Sequence, residues 1–408
     1  MSEILYPRPL RGPLREISER LEDGMLSASS ANELCEMGLD WELVAPHVHD
    51  SAWWQSQPVR PGTPAKLHWE FNAWDATLRL AAVDAIIWID PGPSAPIPDP
   101  APELVLVTHA HADHTEKLKE WADRFPKMKL VMTPLTAELL SLRDSGQGDL
   151  QHVLERSIQI DFRQLRTISG VSLCFLPAGH LLGAGMLEIG FGEDRILVSG
   201  DFALRDVGGL PGARIPQGDY AYVFMEATEC SRKSRPFADL KSTRSKFISN
   251  IMKQIEKGAQ SFQINAQSMG QAQEAYAALI MAQRAGAFDK YSIHLDGLAA
   301  SVSNLYARQL KHLRGPWEIP FLTDSDSELS HKLTMTVTSS AGFQPPEDVT
   351  LIERPEIDTH AGWAEKMAFA TGTSCDRLYF YHGFSTSLDT ELNKMGRKTG
   401  ALTKEIAA

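Results

Sequence analysis

The hydrophobic period changes along the chain. In the opening MSEILYPRPLRGPLREISERLEDG charges alternate with prolines, and the apolar positions predict a helix over 13–22; the capping-box spacing from Ser30 to Glu33 opens a second. The Trp- and Pro-bearing SAWWQSQPVRPGTP follows. Residues 1–65 are therefore expected to form a helical extension and linker, either a structural cap or a docking module for a protein partner. From residue 66 the pattern turns to short apolar runs separated by turns: LHWEF, ATLRLAAV, AIIWID, LVLVTHA, KLVMTP, VSLCFLPA, GMLEIGF and DRILVSGD. Several are apolar at both alternating sets of positions, unlike strands with one wet face. They predict packed sheets covered by helices, two of which are expected over 116–124 and 135–143. Beyond about Tyr222, helical stretches over 242–257 and 270–285 alternate with SFQINA and YSIHL, the pattern of a second α/β unit. Near Leu378 a last strand, LYFYHG, precedes a short terminal helix.

Composition narrows the classes. A chain of 408 residues with 43% hydrophobic residues can bury a sizeable core. The net charge of −12 argues against coating nucleic acid through an overall field, while a local basic channel stays open. Cys35, Cys174, Cys230 and Cys375 lie far apart without a CxxC pair, which suits a reducing compartment and offers no thiolate metal site. No signal-peptide pattern and no run of 18 apolar residues occurs, so a cytoplasmic protein that does not span a membrane is expected.

The chemistry concentrates in LVLVTHAHADHT, where three histidines and an aspartate follow an apolar run. Side chains alternate in an extended segment, so His109 and His111 point the same way and can grip one ion. Asp113 and His114 come where the chain turns into a helix and can reach a second, so the spacing suits two metals better than one. LPAGHLLGAG with His180, LVSGDFAL with Asp201 and YFYHGFS with His382 each add a polar residue at a strand end beside a glycine.

Together with WIDPG, which carries Asp90, these motifs resemble the metallo-β-lactamase superfamily in kind and order. The resemblance implies an αβ/βα sandwich with two Zn²⁺ ions, or Mn²⁺, at one edge. It assigns His109, His111 and His180 to the first ion, Asp113, His114 and His382 to the second, and Asp201 to both, with Asp90 orienting a ligand from behind. Gathering Asp90, Asp113 and Asp201 in one site costs several kcal/mol unless cations neutralise them.

VFMEAT with Glu226, QSMGQAQEAY, DTHAGW with His360 and FYHGF with His382 further resemble motifs of the β-CASP nucleases, in which an inserted α/β domain closes over the metals. On that resemblance the chain divides into an N-terminal extension (1–65), a first core part (66–225), a β-CASP insert (226–345) and a closing core part (346–408). The short stretch before DTHAGW is similar to the compact bacterial branch of ligase-associated DNA exonucleases. The implied activity is phosphodiester hydrolysis of single-stranded DNA, slightly favoured, or RNA. Asp113, Glu226 and His360 are the catalytic residues, with His360 protonating the leaving oxygen and Glu226 hydrogen-bonded behind it. Ala227, Thr228, Glu229 and Cys230 replace the family's usual Ser-Thr-Tyr-Gly. A strand path is expected along Arg232, Lys233, Arg235, Lys241, Arg244 and Lys246, and along RQLKHLR with Arg308 and Lys311. Hydrolysis of a small ester, lactone or thioester, and a catalytically silent nucleic-acid-binding scaffold, are the competing readings.

Overall fold

The computed structural model describes residues 69–82, 85–144, 150–228, 230, 240–266, 268–309, 333–338, 349–353 and 359–402. The extension of residues 1–65 and its expected helices lie outside the described residues.

The first sheet has six strands in chain order: β1 (Glu70–Trp74), β2 (Thr77–Ala82), β3 (Ala85–Ile89), β4 (Leu104–Leu106), β5 (Lys129–Met132) and β6 (Ile158–Gln159). Helices α1 (Ala112–Thr115), α2 (Leu118–Arg124), α3 (Pro134–Asp144) and α4 (Gln151–Leu154) belong to its crossovers. The helix expected over 116–124 thus starts earlier and is broken, with Asp113 and His114 on its first turn.

The second sheet holds β7 (Arg166–Ile168), β8 (Val171–Pro177), β9 (Gly185–Phe191), β10 (Asp194–Val198) and β11 (Asp219–Ala227). The chain then builds α5 (Leu240–Glu256), β12 (Ser261–Asn265), α6 (Gln271–Arg284), β13 (Tyr291–Leu295), α7 (Gly297–Gln309), β14 (Leu333–Thr338) and β15 (Thr350–Glu353). Its four strands form a separate parallel sheet in the order β13-β14-β12-β15. After α8 (Trp363–Gly372) it returns to the second sheet with β16 (Ser374–Gly383), and α9 (Thr386–Lys394) precedes β17 (Thr399–Ala401). Boundaries drawn at 226 and 345 fall awkwardly on this topology: Glu226 and Ala227 still belong to β11, and β15 pairs with β12 beyond residue 345.

Alternation along the strands produces the layers. Ile87, Ile89, Leu104, Leu106 and Val131 of the first sheet meet Leu173, Phe175, Leu187, Ile189, Ile196, Val198 and Phe224 of the second in one dry cluster between the sheets. Their neighbours Trp88, Val105, Leu130, Met132, Cys174, Met186, Leu197, Val223 and Met225 belong to the other core, with Leu118, Trp121, Leu139 and Leu140 of the helices on one side and Phe369, Leu388 and Leu392 on the other. Both side-chain sets are buried, as the doubly apolar runs predict, and the result is the expected αβ/βα sandwich. The additional unit is tied to it by the buried Glu274, which accepts from Gly208 N–H and pairs in bidentate fashion with Arg244, and by Tyr306, whose hydroxyl accepts from Leu182 N–H at 3.0 Å.

Candidate active site

Strand direction brings the polar residues together. β3 and β4 are parallel; β8 is antiparallel to β9, which is antiparallel to β10; and β10, β11 and β16 are parallel. Asp90, His109, His180, Asp201, Glu226 and His382 therefore all sit at or just past the carboxyl ends of strands, on one edge of the sandwich. Two glycines permit the close approach. A Cβ on Gly92 would lie 2.0 Å from the Asp113 carbonyl oxygen, and Gly383, at φ +119°, would meet the Ala227 backbone at 2.5 Å. Asp90 and His382 themselves adopt left-handed φ values of 55° and 51°, local strain placed where the side chains are aimed.

Each histidine of the cluster is held by its outer nitrogen. His109 Nδ1–H donates to Thr108 Oγ1 at 3.0 Å, and that hydroxyl donates to Asp90 Oδ2 at 2.7 Å. His111 Nε2–H donates to the Met269 carbonyl at 2.9 Å, and His180 Nδ1–H to the Thr359 carbonyl at 3.0 Å. His114 Nδ1–H meets Asp90 Oδ2 at 2.8 Å, and His382 Nδ1–H meets Asp75 Oδ1 at 2.9 Å. These anchors leave the opposite nitrogens as lone pairs facing inward.

The inward atoms fall into two groups that can hold a metal: His109, His111, His180 and Asp201, and Asp113, His114 and His382. His111 Nδ1 lies 3.1 Å from both His109 Nε2 and His180 Nε2, a spacing that suits nitrogens sharing one ion at about 2 Å each. Without a cation those lone pairs repel. Asp201 Oδ2 is 3.3 Å from His114 Nε2, 3.7 Å from His109 Nε2 and 3.8 Å from His180 Nε2, while Oδ1 is 3.7 Å from His382 Nε2, so one carboxylate faces both groups. Both its oxygens and His114 Nε2 are buried without a well-formed hydrogen bond.

Electrostatics agree with that donor set. Burial, reinforced by neighbouring histidines, holds His109 and His180 well below the ordinary imidazole value; burial also lowers His111. Burial opposes charge on His114 too, but Asp201 and Asp90 outweigh it and raise that ring well above the usual range. Burial opposes ionisation of Asp201, yet His114, His382 and His360 keep it well below the carboxylate range. The neutral imidazoles of His109, His111 and His180 beside an ionised carboxylate that lacks a well-formed hydrogen bond fit a divalent cation, which would take the place of the proton that Asp201 and Asp90 draw onto His114.

Glu226 and His360 also stand close enough to Asp201 to form a third group with it; His360 Nδ1 is 3.6 Å from Asp201 Oδ2, and its ring centroid is 4.5 Å from that of His180. Burial pushes the Glu226 carboxyl up to about 7, against the pull of the Lys366 ammonium. His360 is a quarter exposed, and burial brings its ring down to about 3 although Asp201 pulls the other way. The sequence reading has Glu226 hydrogen-bonded to His360. The link runs instead through Thr228, whose hydroxyl donates to Glu226 Oε2 and accepts from His360 Nδ1–H at 3.1 Å. Within the stretch that departs from the family's Ser-Thr-Tyr-Gly, Thr228 is the position that keeps the family residue, and it supplies the connection.

The basic path is less well placed. Arg232, Lys233, Arg235 and Lys311 lie outside the described residues. Arg244 is engaged with Glu274 inside the molecule, and Arg308, though exposed, reaches Glu138 at 2.6 Å. Sequence reasoning missed Asp75, Thr108, Thr228 and Lys366. Lys366 left one signal: it shares a helix face with Phe369 and Ala370, both buried.

Residues 86–238 match the family model of the metallo-beta-lactamase superfamily. The transcription termination factor FttA of Pyrococcus abyssi is 25% identical over 234 residues, 52% of this chain and 35% of the relative. A ribonuclease of Thermus thermophilus is 27% identical over 236 residues, 54% of this chain and 52% of the relative. The cleavage and polyadenylation specificity factor subunit 3 of Dictyostelium discoideum is 26% identical over 189 residues, 42% of this chain and 24% of the relative. The chain thus spans about half or less of the length of these curated relatives. A crystal structure of a protein of unknown function from Enterococcus faecalis has a TM-score of 0.51 at 15% sequence identity, covering 83% of this chain and 98% of that one, a likeness of fold.

Proposed function

We propose that this chain, which matches the metallo-beta-lactamase superfamily over residues 86–238 and resembles proteins that include a ribonuclease, is a zinc-dependent nuclease of the β-CASP kind hydrolysing phosphodiester bonds of a polynucleotide. Asp201 carries this reading, because both metal-binding groups and the Glu226–His360 group converge on it. In this proposal His109, His111 and His180 hold one Zn²⁺, Asp113, His114 and His382 the other, and Asp201 lies between them; Mn²⁺ suits the same donors. Bound there, the ions would activate water at neutral pH and neutralise phosphate charge.

The remaining chemistry belongs to the chain. Thr228 fixes His360 as the Nδ1–H tautomer, which leaves Nε2 for proton exchange with the leaving oxygen. The ring is neutral in the free site, and a phosphodiester brings the negative charge that favours its protonation. Burial raises the Glu226 carboxyl against the pull of Lys366, and its Oε2 accepts from the Thr228 hydroxyl that holds His360. The additional unit, taken from α5 to β15, supplies the Met269 carbonyl behind His111.

The compact segment before His360 favours single-stranded DNA as substrate. A ribonuclease among the aligned relatives favours RNA. Among the described residues no helix is long and apolar enough to cross a membrane, and the cysteine pattern accords with a cytoplasmic location. Incubation of the purified chain with end-labelled single-stranded DNA and RNA, with Zn²⁺ or Mn²⁺, is expected to give shortened products from one of them. Turnover of a small ester, lactone or thioester without polynucleotide cleavage would overturn the proposal.

A further inference from the structure

Lys366 lies on α8 with its side chain wholly buried, and the metal chemistry above makes no use of it. An ammonium taken out of water costs several kcal/mol, and an apolar side chain at such a position is often as stable or more so. What the lysine does with its donors is therefore informative. Its Nζ is 2.9 Å from Glu226 Oε2, donates to the Thr228 carbonyl, and reaches Thr228 Oγ1 at 3.3 Å. Each of these contacts is to Glu226 or Thr228.

That arrangement decides a proton position. The Thr228 hydroxyl accepts from Lys366, so its own hydrogen is directed to Glu226 Oε2 and its remaining lone pair takes Nδ1–H of His360. We infer that Lys366 is a positioning residue for the proposed hydrolysis: it locks the Thr228 hydroxyl between Glu226 and His360 and so holds His360 in one tautomer and orientation. The inference rests on the nuclease reading for its kinetic consequence, and on the hydrogen-bond geometry alone for the tautomer.

Two variants of the full, metal-loaded chain test it, Lys366→Met and the near-isosteric Thr228→Val, which keeps the inference falsifiable where the first fails to fold. Two-bond ¹H–¹⁵N correlations report the His360 tautomer, and metal content and kinetics on end-labelled strands are measured in parallel. Wild type should show the Nδ1–H form, and both variants should lose it while retaining metal. Turnover should fall about 10²-fold with KM little changed. Lys366→Met should add nothing further in the Thr228→Val background, since both act along one path. An unchanged tautomer and kcat in either variant, with only the melting temperature lowered, would reduce Lys366 to a structural pair and overturn the inference. A wild-type chain that cuts no polynucleotide would remove the nuclease reading, while the tautomer comparison would still decide the role of Lys366.

Discussion

The ligand cluster and the acid cluster meet at Asp201 and treat buried charge in opposite ways. Around the ligands every histidine is tied from behind, by Thr108, Met269, Thr359, Asp90 or Asp75, while the atoms facing inward have only one another. Around Glu226 the carboxylate already has Lys366 and Thr228 as partners. The first half is electrostatically incomplete until cations arrive; in the second, Oε2 of Glu226 is paired with the chain's own lysine, and Oε1 alone is buried without a hydrogen bond. Rigid outer anchors with unsatisfied inner atoms are how a fold stores metal affinity, because the cost of gathering lone pairs and carboxylates is met only on binding.

The comparison breaks most directly at Asp201. Asp201→Asn should lose metal from both groups and at least about 10³-fold in turnover, the several kcal/mol of charge stabilisation the ions supply. Metal content by elemental analysis decides it: two ions retained in the variant would mean that Asp201 is not shared. Chelation of the wild-type chain should lower its stability by about 4 kcal/mol relative to ions held at a thousandfold their Kd. A melting curve indifferent to chelator would sink the claim that the first half is incomplete.

At the second half, His360→Ala should lower kcat by about 10²- to 10³-fold while both ions stay bound. Loss of an ion in that variant would move His360 into the ligand set, and the two halves would no longer be distinct. A smaller and more selective effect is expected behind His382. Asp75→Ala removes the partner of its Nδ1 and should weaken the site of Asp113, His114 and His382 about 10- to 100-fold, leaving the other site intact. Equal weakening of both sites in a calorimetric titration would show that the groups are not independently anchored.

The difference between the halves also governs what the sequence reveals. LVLVTHAHADHT is legible because metal binding needs particular residue types at short spacing on one strand end. The doubly apolar strands announce a sandwich for a similarly local reason, since both of their faces are buried. Asp75 and His382 are brought together only by the turn between β1 and β2 lying over the end of β16, and neither neighbourhood in sequence contains the other. Thr228 and Lys366 likewise meet across elements far apart in the chain, so their pairing depends on the β11–β16 register and the seat of α8. A strand pair such as β12 and β15 leaves no mark in the sequence either, because it is joined by hydrogen bonds and not by composition.

The smallest effect belongs outside the site, where the same kind of pair is exposed. Arg308 and Glu138 form an ion pair at 2.6 Å with side chains 65% and 41% exposed, a setting in which water already screens both charges. Arg308→Ala should therefore cost about 0.5 kcal/mol or less in an unfolding titration. Its effect on strand binding tells more. A cation that contacts a phosphate contributes about 0.9 to the slope of log affinity against log salt, and Glu138 already answers much of this one. The expected change in slope for Arg308→Ala is accordingly a fraction of that value, whereas Glu138→Gln should free the guanidinium and steepen the slope. A full unit lost on Arg308→Ala would place the residue in contact with the strand despite its acidic partner, and would extend the site along α7.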